Sequence, residues 1–303
     1  MGTADVFMTN IPRMGSLKKR SVDPESLSAL NPRLIYAAIS GYGHAGPKAE
    51  RPGYDIIAQG EAGLMAITGE ADGGPMRFPT PMADISAGLY TLIGVQAALY
   101  ARDRPGGTGR GQFLDVSLVD AQTTWLANVG GSFFATGQEP KRLGNQHPSI
   151  TPYQPVRARD RSFLVAVGTE RLWQKLCGVL DWTETVMQEP RFATNADRNA
   201  ARPELIEILE TALRERDAAD WIEALLAVGV PAGPIHLPSE TLTDEHLKAR
   251  GMIVELEHPA AGLIRSIGLP TRLSETGPTY HRYPPRLGEH NQEIQDELDG
   301  ASS

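Results

Sequence analysis

Cysteine is nearly absent from this 303-residue chain, with Cys177 standing alone. One cysteine permits no intrachain disulfide and no Cys-based metal site, and its apolar helical setting marks it as core. The seven histidines are scattered without the spacing of metal ligands, and neither His-Glu-x-x-His nor Gly-x-Ser-x-Gly occurs. A metal centre and a serine-hydrolase elbow are therefore not expected. Long apolar runs are also missing: no stretch approaches the roughly 20 apolar residues that span a bilayer. The amino terminus lacks the apolar block of a signal peptide, so the expected location is the cytoplasm, without membrane association. Basic residues are the minority, 29 against 37 acidic ones for a net charge of −8, which argues against a nucleic-acid binder. The densest basic cluster, Lys18-Lys19-Arg20, reads by itself as solvated loop charge.

What is present is α/β patterning. Asp5–Thr9 and Arg33–Ser40 are short apolar runs, and the second does not alternate with polar residues, as in a buried parallel strand. A helix-compatible stretch near Pro24–Leu30 lies between them, as a parallel crossover requires. Helices are predicted at about Tyr54–Thr68 and from Asp84 to about Arg102. The glycine-rich turn at 106–111 leads to a strand at Gln112–Ser117, then a helix to about Thr136. After a polar, proline-bearing passage at 144–155 come a strand at Ser162–Gly168 and helices at Glu170–Leu180, Pro203–Glu215 and Ala218–Val228. Val230–His236, Met252–Glu257 and Leu263–Ile267 read as strands, and a short helix is expected near His290–Leu298. This organisation predicts a large α/β domain at 1–155 and 265–303 and a smaller α+β domain at 156–264.

The segment Pro81-Met82-Ala83-Asp84 places one carboxylate where a proline-rich loop meets a long apolar helix. There the helix N-terminus would hold Asp84 ionised, either as a cap or as a nucleophile towards an activated acyl group. Local evidence alone favours the cap. Gly41-Tyr42-Gly43-His44-Ala45-Gly46 spells a dinucleotide fingerprint after a strand, but Pro47 and Pro52 interrupt the helix it requires. The loop remains a site where a ligand can approach backbone. The turn at 106–111 lacks the Gly-Lys-Ser/Thr ending of a phosphate loop. Tyr54, Asp55 and Gln59 read locally as cap and surface residues, and His147 as a surface-loop histidine.

Taken in order, Asn31–Tyr36, Ser40–Gly43, Arg51–Gln59, Ala83-Asp84, Thr108–Gln112, Asp115–Leu118, Gly229–Pro234 and Leu287–His290 resemble the class III CoA-transferase family. That group contains formyl-CoA transferase, carnitine CoA-transferase and α-methylacyl-CoA racemase. Met82-Ala83-Asp84 and Ser149–Gln154 are most similar to the branch that uses succinate and glutarate. The glycine-run loop of the oxalate branch is absent, with Gly144–Tyr153 in its neighbourhood. The resemblance implies an incomplete Rossmann-like parallel-sheet domain beside a smaller α+β domain, in an interlocked homodimer. It implies that Asp84 is the nucleophile, forming an aspartyl anhydride and then an aspartyl-CoA thioester, with CoA as substrate and no permanently bound cofactor. By position, Asn10, Ile11, Pro12 and Lys18 would contact the CoA nucleotide. Tyr54, Asp55 and Gln59 would lie beside the thioester, and the glycine loops at Gly41, Tyr42, Gly43 and Gly53 would offer backbone donors to oxyanions.

Family members begin with a further β-α-β unit, so an amino-terminally incomplete large domain with exposed apolar edges is expected here. Two other readings follow. The racemase branch exchanges an α-proton and has histidine where this chain has Tyr54; tyrosine, with a reference pKa near 10, replaces it poorly. A non-catalytic, truncated subunit is the other.

Overall fold

The computed structural model describes residues 2–300. The first apolar run forms β1 (Val6–Thr9), followed by α1 (Met14–Lys18), α2 (Pro24–Leu30) and β2 (Ile35–Ser40). Pro24 occupies the first turn of α2, where its missing N–H costs nothing, and Asp23 caps it by accepting from the Ser26 backbone N–H at 3.1 Å. Next come α3 (Asp55–Glu61), α4 (Leu64–Ile67), α5 (Met82–Asp103), β3 (Phe113–Ser117), α6 (Leu118–Thr123) and α7 (Ala127–Thr136). The rest comprises β4 (Tyr153–Arg157), β5 (Ser162–Ala166), α8 (Glu170–Val179), α9 (Asn195–Ala200), α10 (Arg202–Leu213), α11 (Ala218–Ala227) and β6 (Ala232–Pro234). Then follow α12 (Pro238–Thr243), α13 (Glu245–Ala249), β7 (Ile253–His258), β8 (Gly262–Ile267) and α14 (Asn291–Gly300).

The strands form sheets of order β1-β2-β3, β4-β5-β6 and β7-β8. The first is parallel throughout, with Val6 opposite Ile35 and Ser40 opposite Ser117, so the mixed α/β class expected from sequence is present. β2 is central and almost wholly buried, which explains its uninterrupted apolar run. Its residues alternate between two cores. Tyr36 and Ala38 pack with Leu27 and Leu34 on one face, while Ile35 and Ala37 meet Val95 and Ala98 of α5 on the other. The chain divides into two compact units, Met1–Pro155 with Val165–Leu209 and Val156–Leu164 with Glu210–Ser303.

Two expectations change. The helix predicted at 54–68 is broken at Gly63, whose φ of 85° lies in the left-handed region. The absence of any stretch able to span a bilayer also needs correction. α5, with 22 residues, is long and apolar enough to do so by length and composition. Its polar and charged residues sit at the ends or singly, so they do not lower its mean hydropathy enough. In the fold its small residues, Ala83, Ala87 and Ala98 among them, form the buried side against the first sheet.

Candidate active site

The parallel register puts the ends of β1, β2 and β3 on one edge, so the loops starting at Asn10 and Gly41 leave the sheet side by side. α5 runs back across the sheet. Its Val95 and Ala98 pack near the strand starts with Ile35, whereas Ala83 and Ala87 pack with Ile39, Val116 and Leu118 near the strand ends. Asp84 therefore lies at the carboxyl edge of the parallel sheet, where open α/β folds receive ligands.

Asp84 does not cap this helix. The cap position is Pro81, which offers no side-chain hydrogen bond, and among the described residues none donates to the Asp84 carboxylate. The backbone N–H of Ala83 donates instead to Asp55 Oδ1 at 2.7 Å, so the first residue of α3 caps α5 from outside. Asp55 Oδ2 accepts from Gln59 Nε2 at 2.6 Å, and Gln59 Oε1 accepts from the Phe78 N–H at 2.8 Å. Gln59, expected at the surface, is 2% exposed because its amide is spent on this clamp. Asp84 itself is exposed, yet desolvation and then the negative charge of Asp55 raise its pKa above the ordinary aspartate value. The expected stabilisation of its ionised form by the helix N-terminus is thus reversed. A carboxylate left without donors and raised in basicity is a better nucleophile than a capping one.

Beside this clamp the backbones of Gly41 and Gly53 cross so closely that a Cβ on Gly41 would lie 2.6 Å from the Gly53 Cα. Both must be glycine, and their contact sets Tyr54 and Asp55 against the loop leaving β2. The Gly43 N–H donates to Ser40 Oγ at 2.9 Å, so that amide is satisfied within the loop. Tyr42 donates its hydroxyl to Glu61 Oε1 at 2.8 Å; that hydrogen bond raises the phenol, and the ion pair with Lys48 lowers Glu61. Tyr54 is 76% exposed, with its ring in solvent. No helix follows Gly46 until Asp55, which agrees with refusing the dinucleotide reading.

Asn10, Ile11 and Pro12 begin the loop after β1, and the Ile11 N–H donates to Thr9 Oγ1 at 3.2 Å. Lys18 stands at the end of α1 and pairs with Glu25 at 3.1 Å, so it is not brought to the clamp by any bond among the described residues. Sequence reading missed His44 and Asp115. Asp115 Oδ2 accepts the His44 backbone N–H at 2.8 Å and Oδ1 faces His44 Nδ1 at 3.0 Å, which assigns the proton to Nδ1. The available signal was a carboxylate in a strand beside a histidine in a glycine loop. Cys177, expected in the core, is buried, and burial pushes its thiol up to about 12.

Residues 1–291 match the sequence model of CoA-transferase family III. The succinate–glutarate CoA-transferase of Agrobacterium fabrum is 40% identical over 98% of this chain and 73% of its own length. The acetyl-CoA:oxalate CoA-transferase of Acetobacter aceti is 35% identical, covering 97% of this chain and 74% of its own. Human succinyl-CoA:glutarate CoA-transferase is 33% identical over 97% of this chain and 66% of its own. The crystal structure of a CAIB/BAIF family protein from Brucella suis superposes with a TM-score of 0.85 at 39% identity, over 98% of this chain and 76% of that one. With this agreement in sequence and fold, the chain belongs to CoA-transferase family III and is a CoA-transferase.

Proposed function

We propose that the enzyme moves CoA from an acyl-CoA thioester to a free carboxylic acid, a dicarboxylate such as succinate or glutarate, with Asp84 as carrier. The observation that carries this reading is the state of Asp84: exposed at the carboxyl edge of the sheet, without a hydrogen-bond donor among the described residues, and raised in basicity. The identity of the acid rests on the similarity to succinate–glutarate CoA-transferases.

In this mechanism an Asp84 oxygen attacks the thioester carbonyl, the C–S bond breaks, and CoA leaves as thiolate beside an aspartyl–acyl anhydride. The thiolate attacks the aspartyl carbonyl, releasing the donor acid and leaving an aspartyl-CoA thioester. The acceptor carboxylate displaces CoA to form a second anhydride. Thiolate attack on the acyl carbonyl of that anhydride then yields the new acyl-CoA and restores Asp84. Two thioesters of similar energy are exchanged, so a carboxylate carrier suffices. Backbone N–H groups of Gly41, Tyr42 and Gly53 are the candidate oxyanion donors, since amides fixed before reaction stabilise developing charge best; the Gly43 N–H is already given to Ser40. Tyr54, Asp55 and Gln59 flank the thioester in this reading, and Asn10, Ile11, Pro12 and Lys18 face the nucleotide. CoA binding falls to 1–155, within the first compact unit, and the active species is a cytoplasmic, interlocked homodimer.

Kinetics on variants test the carrier. Asp84→Ala and Asp84→Asn should lose transfer by roughly three orders of magnitude or more while keeping the circular dichroism of the parent. A folded variant that retains a tenth of the parental rate would exclude Asp84 as the nucleophile.

A further inference from the structure

We infer that Asp55 is a positioning residue for the transfer step: it fixes the Asp84 carboxylate in place and neutralises the helix end that would otherwise weaken it as a nucleophile. The inference rests on the reading of Asp84 as carrier and assigns Asp55 a task separate from contact with CoA.

The opening turn of α5 leaves backbone N–H groups that its own cap residue does not satisfy. Met82 N–H reaches the Thr80 carbonyl at 2.8 Å, and Ala83 N–H reaches Asp55 Oδ1 at 2.7 Å. That second bond fixes the residue immediately before Asp84. Its strength comes from the full charge on the acceptor, and charge-assisted bonds are the short, strong ones. Asp55 is itself held from the other side by Gln59 Nε2, and Gln59 anchors the incoming loop at Phe78. The chain entering α5 is thus tied at residues 78 and 83 to one turn of α3.

The second consequence is electrostatic. A helix N-terminus carries roughly half a positive charge, which stabilises a carboxylate in the first turn and makes it a poorer nucleophile. Here a full negative charge is bonded to that same terminus, so the field at Asp84 is cancelled or reversed. The elements packed around the start of α5 carry other charged groups. α3 presents Asp55 and Glu61, the latter bonded to Tyr42 and Lys48; α6 presents Asp120. β3 presents Asp115, bonded to His44, and β2 carries only the Tyr36 phenol, bonded to the Val22 carbonyl. On α5 itself Arg102 and Asp103 lie at the far end. Of these, only Asp55 acts on the charge of Asp84, and it acts to raise its pKa.

The test follows acylation of Asp84 in a single turnover, by quenching and mass spectrometry of the peptide, as a function of pH. The donor is acetyl-CoA, whose acyl group has no carboxylate of its own to titrate. Asp55→Asn removes the charge and Asp55→Glu keeps it, with circular dichroism confirming the fold of each. The acid limb of Asp55→Asn should move to lower pH than in the parent, and its plateau rate should fall about 10–100-fold through lost alignment. Asp55→Glu should keep the parental acid limb even where its rate falls. Equal acid limbs in parent and Asp55→Asn, or a parallel shift in Asp55→Glu, would overturn the inference while leaving Asp84 as carrier. If the parent never acquires the acyl group at Asp84, the reading beneath it falls instead, and the inference with it.

Discussion

At the third position of a helix an aspartate ordinarily gains stability from the unpaired N–H groups ahead of it. Asp84 gains none, because its neighbour Ala83 is bonded to Asp55 and its own carboxylate meets only desolvation and a like charge. A pKa raised in the folded state means that ionisation costs stability at neutral pH, a cost that disappears as pH falls. The position of Asp84 at a helix start was legible in the sequence, since proline followed by an apolar helical run marks the boundary. Its environment was not, because Asp55 lies 28 residues before Ala83, whose N–H it accepts, and only the tertiary fold brings the two together. The burial of Gln59 escaped for the same reason: besides Asp55, one turn back, it bonds a loop nearly twenty residues on. Gly41 makes a sharper case, because the reason for glycine lies in a second backbone. Gly41→Ala would drive a Cβ into Gly53, so chemical denaturation should show a loss of about 2–3 kcal/mol. A variant as stable as the parent would mean that the two loops do not cross as described.

Among the elements, α2, α5, α8 and α11 were readable nearly to their ends, because proline, glycine and capping residues punctuate apolar patterns of helical period. The break between α3 and α4 was hidden. Gly60 and Gly63 both fall inside one apolar pattern, and nothing local says that only Gly63 leaves helical geometry. A side chain at that φ is strained, so Gly63→Ala should lower stability by about 1–2 kcal/mol in thermal or urea unfolding. An unchanged midpoint would argue for a continuous helix. β4 was also missed, since it lies at the end of a proline-bearing passage that reads as a linker and itself contains Pro155. The three parallel strands were recovered because each is short, apolar and followed by glycine, asparagine or a capping serine.

At the level of the whole chain, the three-stranded parallel sheet has β1 and β3 as its outer members among the described residues. α5 also leaves Ile85, Leu89, Leu92 and Ile93 exposed on the side away from its sheet. Edges and apolar faces of this kind favour association, which supports the proposed homodimer. Sedimentation at micromolar concentration should therefore return twice the 32.8 kDa mass of one chain. A single-chain mass at every concentration tested would contradict the dimer. Fold class and family were legible at this scale because short motifs recur in a fixed order along most of the chain, whereas the partner surface has no sequence pattern of its own.

The most direct measurement is peptide mapping of the enzyme after brief exposure to succinyl-CoA and trapping with hydroxylamine or borohydride. The account predicts a modification confined to the peptide containing Asp84, lost in Asp84→Ala. Full turnover with no trapped product at that residue, or an adduct elsewhere that survives the substitution, would contradict it.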